Sequence, residues 1–227
     1  AGAGREVRAA VTLQAGSGKP IAPEDLLVTH TRRLHLLLVD PTLTDYQHLH
    51  PDPTRRAGEW AFSFTPRRDG VYRVFADFTP AATGRGLYAN ADIVVAAAGG
   101  ARPAVATRPG SAVERGEHRF ALAVQPRPAR ATKPIDLSFS VARRDGAPVK
   151  LEPVMGAFAH LVAFDAARSG FAHLHPVEGE GAKSPQSKVT VLNFKLTIPR
   201  PGQYTVWAQA NVDGREEFVP FALDVVE

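Results

Sequence analysis

A pattern that occurs twice constrains this chain more than any other feature. His35-Leu-Leu-Leu-Val-Asp40 is followed by Gln47-His48-Leu49-His50-Pro51, and His160-Leu-Val-Ala-Phe-Asp165 is followed by Ala172-His173-Leu174-His175-Pro176. Matched positions differ by 125 throughout, so His-x12-His-x-His-Pro stands twice with one spacing. Downstream the match resumes at an offset of 132, after a seven-residue insertion in the Glu178 to Lys188 loop. There Phe62-Ser-Phe64 meets Phe194-Lys-Leu196, and Asp69-Gly-Val-Tyr-Arg-Val74 meets Pro201-Gly-Gln-Tyr-Thr-Val206. Upstream, Val11 to Ile21 parallels Leu137 to Val149, each an alternating stretch that closes on Gly-x-Pro. The chain therefore reads as two related domains produced by internal duplication, residues 1–97 and 117–227. Between them, 98–116 has the composition of a linker, with Gly99, Gly100, Pro103, Pro109 and Gly110 and few bulky apolar residues.

Both halves read as β. Val11–Gln14, Leu34–Val39, Trp60–Phe64, Tyr72–Phe78 and Ala91–Val95 are short runs, most of them rich in β-branched and aromatic residues, bounded by Pro, Gly, Asn and Asp. The second half repeats the pattern from Arg119–Val124 through to Phe218–Val226. Several short strands per hundred residues predict a β-sandwich in each half. One segment in each, around Pro23–Leu27 and Glu152–Gly156, could form a brief helical turn. The repeated Gly-x-Tyr elements, Gly70-x-Tyr72 and Gly202-x-Tyr204, predict a tight turn entering a long strand, with the tyrosine hydroxyl bonded to backbone as in Greek-key sandwiches.

Composition narrows the chemistry. The 227 residues contain no cysteine, which removes thiolate nucleophiles, disulfides, cysteine zinc sites and blue-copper sites built on a Cys ligand. The net charge of +4 is spread along the chain in isolated pairs such as Arg32-Arg33 and Arg143-Arg144, unlike the basic stripe of a nucleic acid binder. The longest uncharged apolar stretch, Ile93–Ala98, is far short of the roughly 20 residues of a membrane-spanning helix. The Ala1-Gly-Ala-Gly4 start is what a cleaved signal peptide or a lipoprotein linker would leave, as would an arbitrary cut.

Seven of the eight histidines lie in the repeated segments, with His118 apart from them. Within His-Leu-His the imidazoles are two residues apart, so on a strand they share one face while Leu49 or Leu174 points to the other. If the strand starting at His35 pairs antiparallel with Tyr46–His50, a register placing His35 opposite His48 or His50 puts all three rings on one face; opposite Leu49 it separates them. Three converging neutral imidazoles suit zinc, copper, nickel or iron, and a thioether shifts the choice towards Cu(I). The chain's one methionine, Met155, stands five residues before His160, where the first half has His30 five before His35. The expected ligand sets are thus His30, His35, His48 and His50 in the first half, and Met155, His160, His173 and His175 in the second. Asp40 and Asp165 recur on the opposite strand face and are expected to start turns. No serine recurs beside the histidines to make a hydrolase triad, and Gly16-Ser-Gly18-Lys19 lacks the full phosphate-loop pattern.

Met155-Gly-Ala-Phe-Ala-His-Leu-Val162, continued by His173-Leu-His-Pro176 and Pro201-Gly-Gln-Tyr204, resembles exported bacterial β-sandwich proteins of the YtkA-like or cupredoxin-like kind. The resemblance covers most of the second half and, less closely, the His-Leu-His-Pro to Gly-x-Tyr part of the first. It implies two tandem Ig-like (cupredoxin-like) sandwiches, a periplasmic or extracellular setting as a processed or lipid-anchored form, and a role beside heavy-metal, especially copper, handling systems. The expected function is copper binding, buffering or delivery, with zinc as an alternative ion, a membrane-bound or periplasmic metal-handling protein as partner, and no catalysis required. Two rivals stand beside it: a metal-dependent oxidase or hydrolase with an open coordination position, and a metal-free interaction module whose histidines are structural.

Overall fold

A computed structural model of the chain describes residues 2–95, 108–177 and 186–227. It is all-β and divides into two compact units, Ala1–Ala106 and Thr107–Glu227, each a β-sandwich of two sheets around one buried core.

The first domain contains β1 (Val7–Thr12), β2 (Leu34–Val39), β3 (Tyr46–Leu49), β4 (Asp52–Pro53), β5 (Glu59–Phe64), β6 (Gly70–Phe78) and β7 (Leu87–Val95). One sheet has the order β1-β5-β4 and the other β3-β2-β6-β7. The two-residue period of a strand explains the layering. Trp60, Phe62 and Phe64 of β5 meet Leu34, Leu36 and Leu38 of β2 and Tyr72, Val74, Ala76 and Phe78 of β6 in one buried cluster, while Ala61 and Ser63 are exposed. His35 and Leu37 alternate with those leucines and therefore stand on the other face of β2, where they too are buried. Removing a side chain of this size from water contributes roughly 1.5–3 kcal/mol, so the core leucines fix the face, and with it the side from which His35 projects. The Pro23–Leu27 turn is a single 3-10 turn, Pro23–Asp25, closed by Asp25 Oδ2 accepting from the Ala22 backbone N–H at 2.9 Å.

The second domain contains β8 (Ala112–Arg115), β9 (His118–Gln125), β10 (Ala129–Arg130), β11 (Pro134–Arg143), β12 (Val149–Glu152), β13 (His160–Asp165), β14 (Phe171–Leu174), β15 (Gln186–Ser187), β16 (Val189–Thr197), β17 (Gly202–Val212) and β18 (Arg215–Val226). Its first sheet runs β16-β11-β9-β8; in the other, β14 pairs β13, β13 pairs β17 and β17 pairs β18. The order β14-β13-β17-β18 repeats β3-β2-β6-β7 strand for strand, and β11-β16 repeats β1-β5, which carries the sequence duplication into topology. Phe120, Leu122, Leu137, Phe139, Leu192, Phe194, Val206, Ala208 and Phe221 form the core between the sheets.

Two expectations need correction. The predicted linker extends too far: Ala112–Arg115 is an edge strand paired with β9 in the register Val113↔Phe120, so the second domain begins before residue 117. An exposed edge strand with one half-buried valine carries little apolar signal, which is why the segment reads as linker. Residues 98–107 of that segment, and 178–185 of the loop that carries the seven-residue insertion, lie outside the described residues. Glu152–Gly156 is not helical either. Val149–Glu152 is strand, and Val154 and Ala157 form an isolated bridge around a two-residue turn.

Both Gly-x-Tyr elements behave as expected. Gly70 has φ 132°, and an added Cβ would lie 2.9 Å from Pro41 Cγ. Tyr204 Oη donates to the Arg200 carbonyl at 2.9 Å. Tyr72 Oη accepts from the Arg68 N–H at 3.1 Å and donates to Asp45 Oδ2 at 2.5 Å. Burial, then the bond to the Asp45 carboxylate, holds the Tyr72 hydroxyl well above the ordinary tyrosine pKa.

Candidate metal centres

Each histidine group is built from a turn, a central strand and a strand end. The strand β2 pairs β3 with Leu36 opposite Leu49 and Leu37 opposite His48. Continued by one position, this register sets His35 opposite His50, one of the two arrangements that put all three rings on one face. In the second domain Leu161 faces Leu174 and Val162 faces His173, which sets His160 opposite His175 in the same way.

The rings converge. One nitrogen from each of His35, His48 and His50 lies within 4.8 Å of the other two, and the same holds for His160, His173 and His175. Ring centroids are 5.0 to 5.3 Å apart in the first group and 4.7 to 5.4 Å in the second. His35 and His160 stand nearly perpendicular to His50 and His175, at 82° and 86°. Burial is graded across each group. His35 is 2% exposed, His48 8% and His160 0%, whereas His50, His173 and His175 are half-buried.

Hydrogen bonds orient the deepest ring. His35 Nε2 donates to the Thr29 carbonyl at 3.1 Å, and His160 Nε2 to the Val154 carbonyl at 2.8 Å. A carbonyl can only accept, so in the neutral ring Nε2 carries the proton and Nδ1 presents its lone pair. That lone pair faces the group: His35 Nδ1 lies 3.1 Å from His48 Nε2, and His160 Nδ1 lies 3.2 Å from His173 Nε2. Metal-bound histidines are commonly held in this way by a backbone acceptor on the far nitrogen. With metal–nitrogen bonds of about 2.0–2.1 Å, adjacent ligands in a tetrahedron are about 3.3–3.4 Å apart, close to these nitrogen separations. The donor set, with one nitrogen pair already near this spacing and the third nitrogen within 4.8 Å, therefore suits a borderline metal ion held by three imidazoles.

The accepting carbonyls belong to matching turns. Thr29 and Arg32 exchange N–H···O bonds of 2.8 and 3.0 Å, and Val154 and Ala157 exchange bonds of 2.7 and 3.1 Å. The central residues have positive φ in both: His30 49° and Thr31 70°, Met155 52° and Gly156 84°. This is the pattern of a type I′ turn. A β-branched residue at positive φ is strained, and Thr31 adopts it where the second domain uses glycine.

Not every predicted ligand joins a group. His30 stands on its turn with its ring centroid 6.4 Å from that of His35, beside the three-histidine set and outside it. Met155 occupies the equivalent turn position. His118, apart in sequence, lies 2.9 Å from Asp213 in a surface cluster that also contains Arg143 and Glu117. Asp40 accepts from the backbone N–H groups of Thr42, Thr44 and Asp45, and Asp165 from that of Ser169, so both aspartates shape turns. Sequence reasoning missed the Thr29 and Val154 carbonyls. It also missed the residues across the sheet from the deep histidines, Asp77 opposite His35 and Gln209 opposite His160; the strand pairing of the repeat was the signal for these.

No curated protein matches the sequence. Among solved structures, the chain aligns over its whole length with 61% of the Escherichia coli adhesin FdeC at 18% identity and a TM-score of 0.31. It aligns over its whole length with 57% of a putative membrane anchored protein from Corynebacterium diphtheriae at 10% identity and a TM-score of 0.31. It also covers 94% of the D00-D0 domain of intimin at 16% identity and a TM-score of 0.23. Thus the chain spans about three fifths of the length of the first two of these. Among the described residues, no helix is long and apolar enough to cross a membrane. A family profile matches residues 1–96 and 114–227, and the chain belongs to the family that it defines, a domain of unknown function (DUF8832).

Proposed function

We propose that this protein is an extracytoplasmic metal-binding protein that holds copper, with zinc as the alternative ion, in two separate three-histidine sites. The observation that carries the reading is the repeated lone-pair geometry: in both domains Nε2 of the deepest histidine is bonded to a turn carbonyl and Nδ1 faces the other two rings. A metal ion would replace the ring-to-ring hydrogen bond, taking Nδ1 of the deep histidine and one nitrogen from each of its two neighbours. His30 and Met155, on the adjoining turns, are the candidates for a fourth ligand. The resemblance to exported copper-associated sandwich proteins supports buffering or delivery outside the cytoplasm, with a membrane-bound or periplasmic metal-handling protein as partner.

Three ligands leave one position open to water, as in catalytic zinc sites, which favours a metal-dependent hydrolase or oxidase as the second reading. The full chain, purified without affinity tag or chelator, is the material for the test. Titration with Cu(II) and Zn(II) should reveal two saturable sites, and the combined change His173→Ala with His175→Ala should leave one. Binding no tighter than that of a chain lacking both groups would overturn the reading, and turnover that needs the bound metal would favour the second.

A further inference from the structure

The two groups match nitrogen for nitrogen, yet two bordering positions have diverged. Across the sheet from the deep histidine stands Asp77 in the first domain and Gln209 in the second. Directly opposite residues share a face with Cβ atoms about 5 Å apart. His35 therefore has a half-buried carboxylate as its neighbour where His160 has an uncharged amide. Gln209 is 3% exposed and donates Nε2–H to Glu216 Oε1 at 2.6 Å. The negative charge of the second domain is thereby displaced to an exposed side chain. The other divergence is in the turn, where His30 is replaced by Met155. The two share left-handed backbone geometry, so the matching turns project their side chains alike.

Neutral imidazoles bring no charge to a bound ion, so the surroundings decide which charge is favoured. A carboxylate attracts a doubly charged ion twice as strongly as a singly charged one at the same distance. Partial burial weakens its screening by salt, whereas an exposed carboxylate beyond an amide is screened more. Ligand softness acts in the same direction: an added imidazole suits divalent copper or zinc, and a thioether suits Cu(I).

We infer that the duplication has produced two sites of different oxidation-state preference. The group of His35, His48 and His50 takes the divalent ion and that of His160, His173 and His175 takes Cu(I), with Asp77 against Gln209 as the electrostatic determinant. The inference rests on the proposed metal-binding function and adds to it which ion each site takes. One chain would then carry one site suited to a divalent ion and one suited to Cu(I).

Two full-length variants isolate the sites: His173→Ala with His175→Ala keeps the first group, and His48→Ala with His50→Ala keeps the second. Each is titrated with Zn(II) against a competing chelator and, without oxygen, with Cu(I) against a Cu(I)-specific chelator. The ratio of Zn(II) to Cu(I) affinity should be higher at the first group by about tenfold or more. Adding Asp77→Asn should lower Zn(II) affinity there by about tenfold and Cu(I) affinity by about threefold, the square root expected for half the charge. Gln209→Glu should raise the same ratio at the second group, and it supplies an independent reading if the Asp77 variant does not fold by circular dichroism. Equal ratios at the two sites, or equal losses for both ions in Asp77→Asn, would overturn this inference alone. Metal bound by neither single-site chain would overturn the metal-binding reading and this one with it.

Discussion

His35 and His160 anchor the same nitrogen to the same point of the same turn, Nε2 donating to the Thr29 carbonyl at 3.1 Å in one domain and to the Val154 carbonyl at 2.8 Å in the other. Each carbonyl also accepts the N–H that closes its turn, from Arg32 or Ala157. Turn and ring thus form one hydrogen-bonded unit, and Nδ1 is held towards the neighbouring histidine. Orientation that is already fixed by packing and hydrogen bonds lowers the cost of assembling a site.

Anchor and rim histidines should accordingly respond differently to truncation. His160→Ala removes a fully buried ring and one donor from the Val154 carbonyl, at an expected cost of about 1–3 kcal/mol in the metal-free protein. His175→Ala, at a half-buried position, should cost less than about 1 kcal/mol. Urea unfolding in the presence of a chelator measures both. On the proposed metal-binding function, either change should lower the count from two ions per chain to one.

On the proposed metal-binding function, acid should release the ion. An imidazole must be neutral to donate its lone pair, and its reference pKa is about 6.5. With three imidazoles at each site, up to three protons compete with one ion, so affinity should fall as pH drops. Competition titrations from about one and a half pH units above the reference pKa to about one unit below it follow the effect. A flat profile over that window would point to ligands other than histidine.

Tyr72 should give the first domain an alkaline limit. Its pKa is raised above the ordinary tyrosine value by burial and then by its bond to Asp45, so the folded protein keeps the phenol protonated where the unfolded chain begins to lose it. The sign follows from linkage: the contribution is complete below the unfolded value of about 10 and declines as pH rises above it towards the folded value. Tyr72→Phe should destabilise by about 1–3 kcal/mol at neutral pH, because Asp45 loses a buried donor. The difference in unfolding midpoint between parent and variant should shrink above about pH 10.

Much of this was legible in the sequence, and what was not has physical reasons. Identical spacing of His35, His48 and His50 with His160, His173 and His175 revealed the duplication and the candidate ligands, because a strand's period of two puts His-x-His on one face. The register stayed open, since two in-phase pairings serve the pattern equally; the β2–β3 and β13–β14 ladders select the one with His35 opposite His50 and His160 opposite His175. The turns escaped notice because His30-Thr31 does not look like a type I′ pair, although Met155-Gly156, with glycine at positive φ, carries a usable hint. Carbonyl acceptors have no side-chain identity, so Thr29 and Val154 could not be read as the groups that orient the rings. Asp77 and Gln209 became visible once β6 and β17 were paired with their neighbours.

Met155 occupies the first central position of the turn whose preceding carbonyl holds His160, and Gly156 at φ 84° completes that turn without a Cβ. Met155→Leu keeps the volume and apolar character of a half-buried side chain, with an expected stability change under about 1.5 kcal/mol, and removes the sulfur. Zinc binding through His160, His173 and His175 should change by less than about twofold, because borderline ions gain little from a thioether. Cu(I) affinity should fall by about tenfold or more if sulfur is the fourth ligand. Replacement of His30 by methionine tests the converse: His30→Met should raise Cu(I) affinity at the first site, since the two turns share their backbone geometry. Unchanged Cu(I) affinity in both variants would make the turn residue a packing element and leave three imidazoles as the complete protein ligand set.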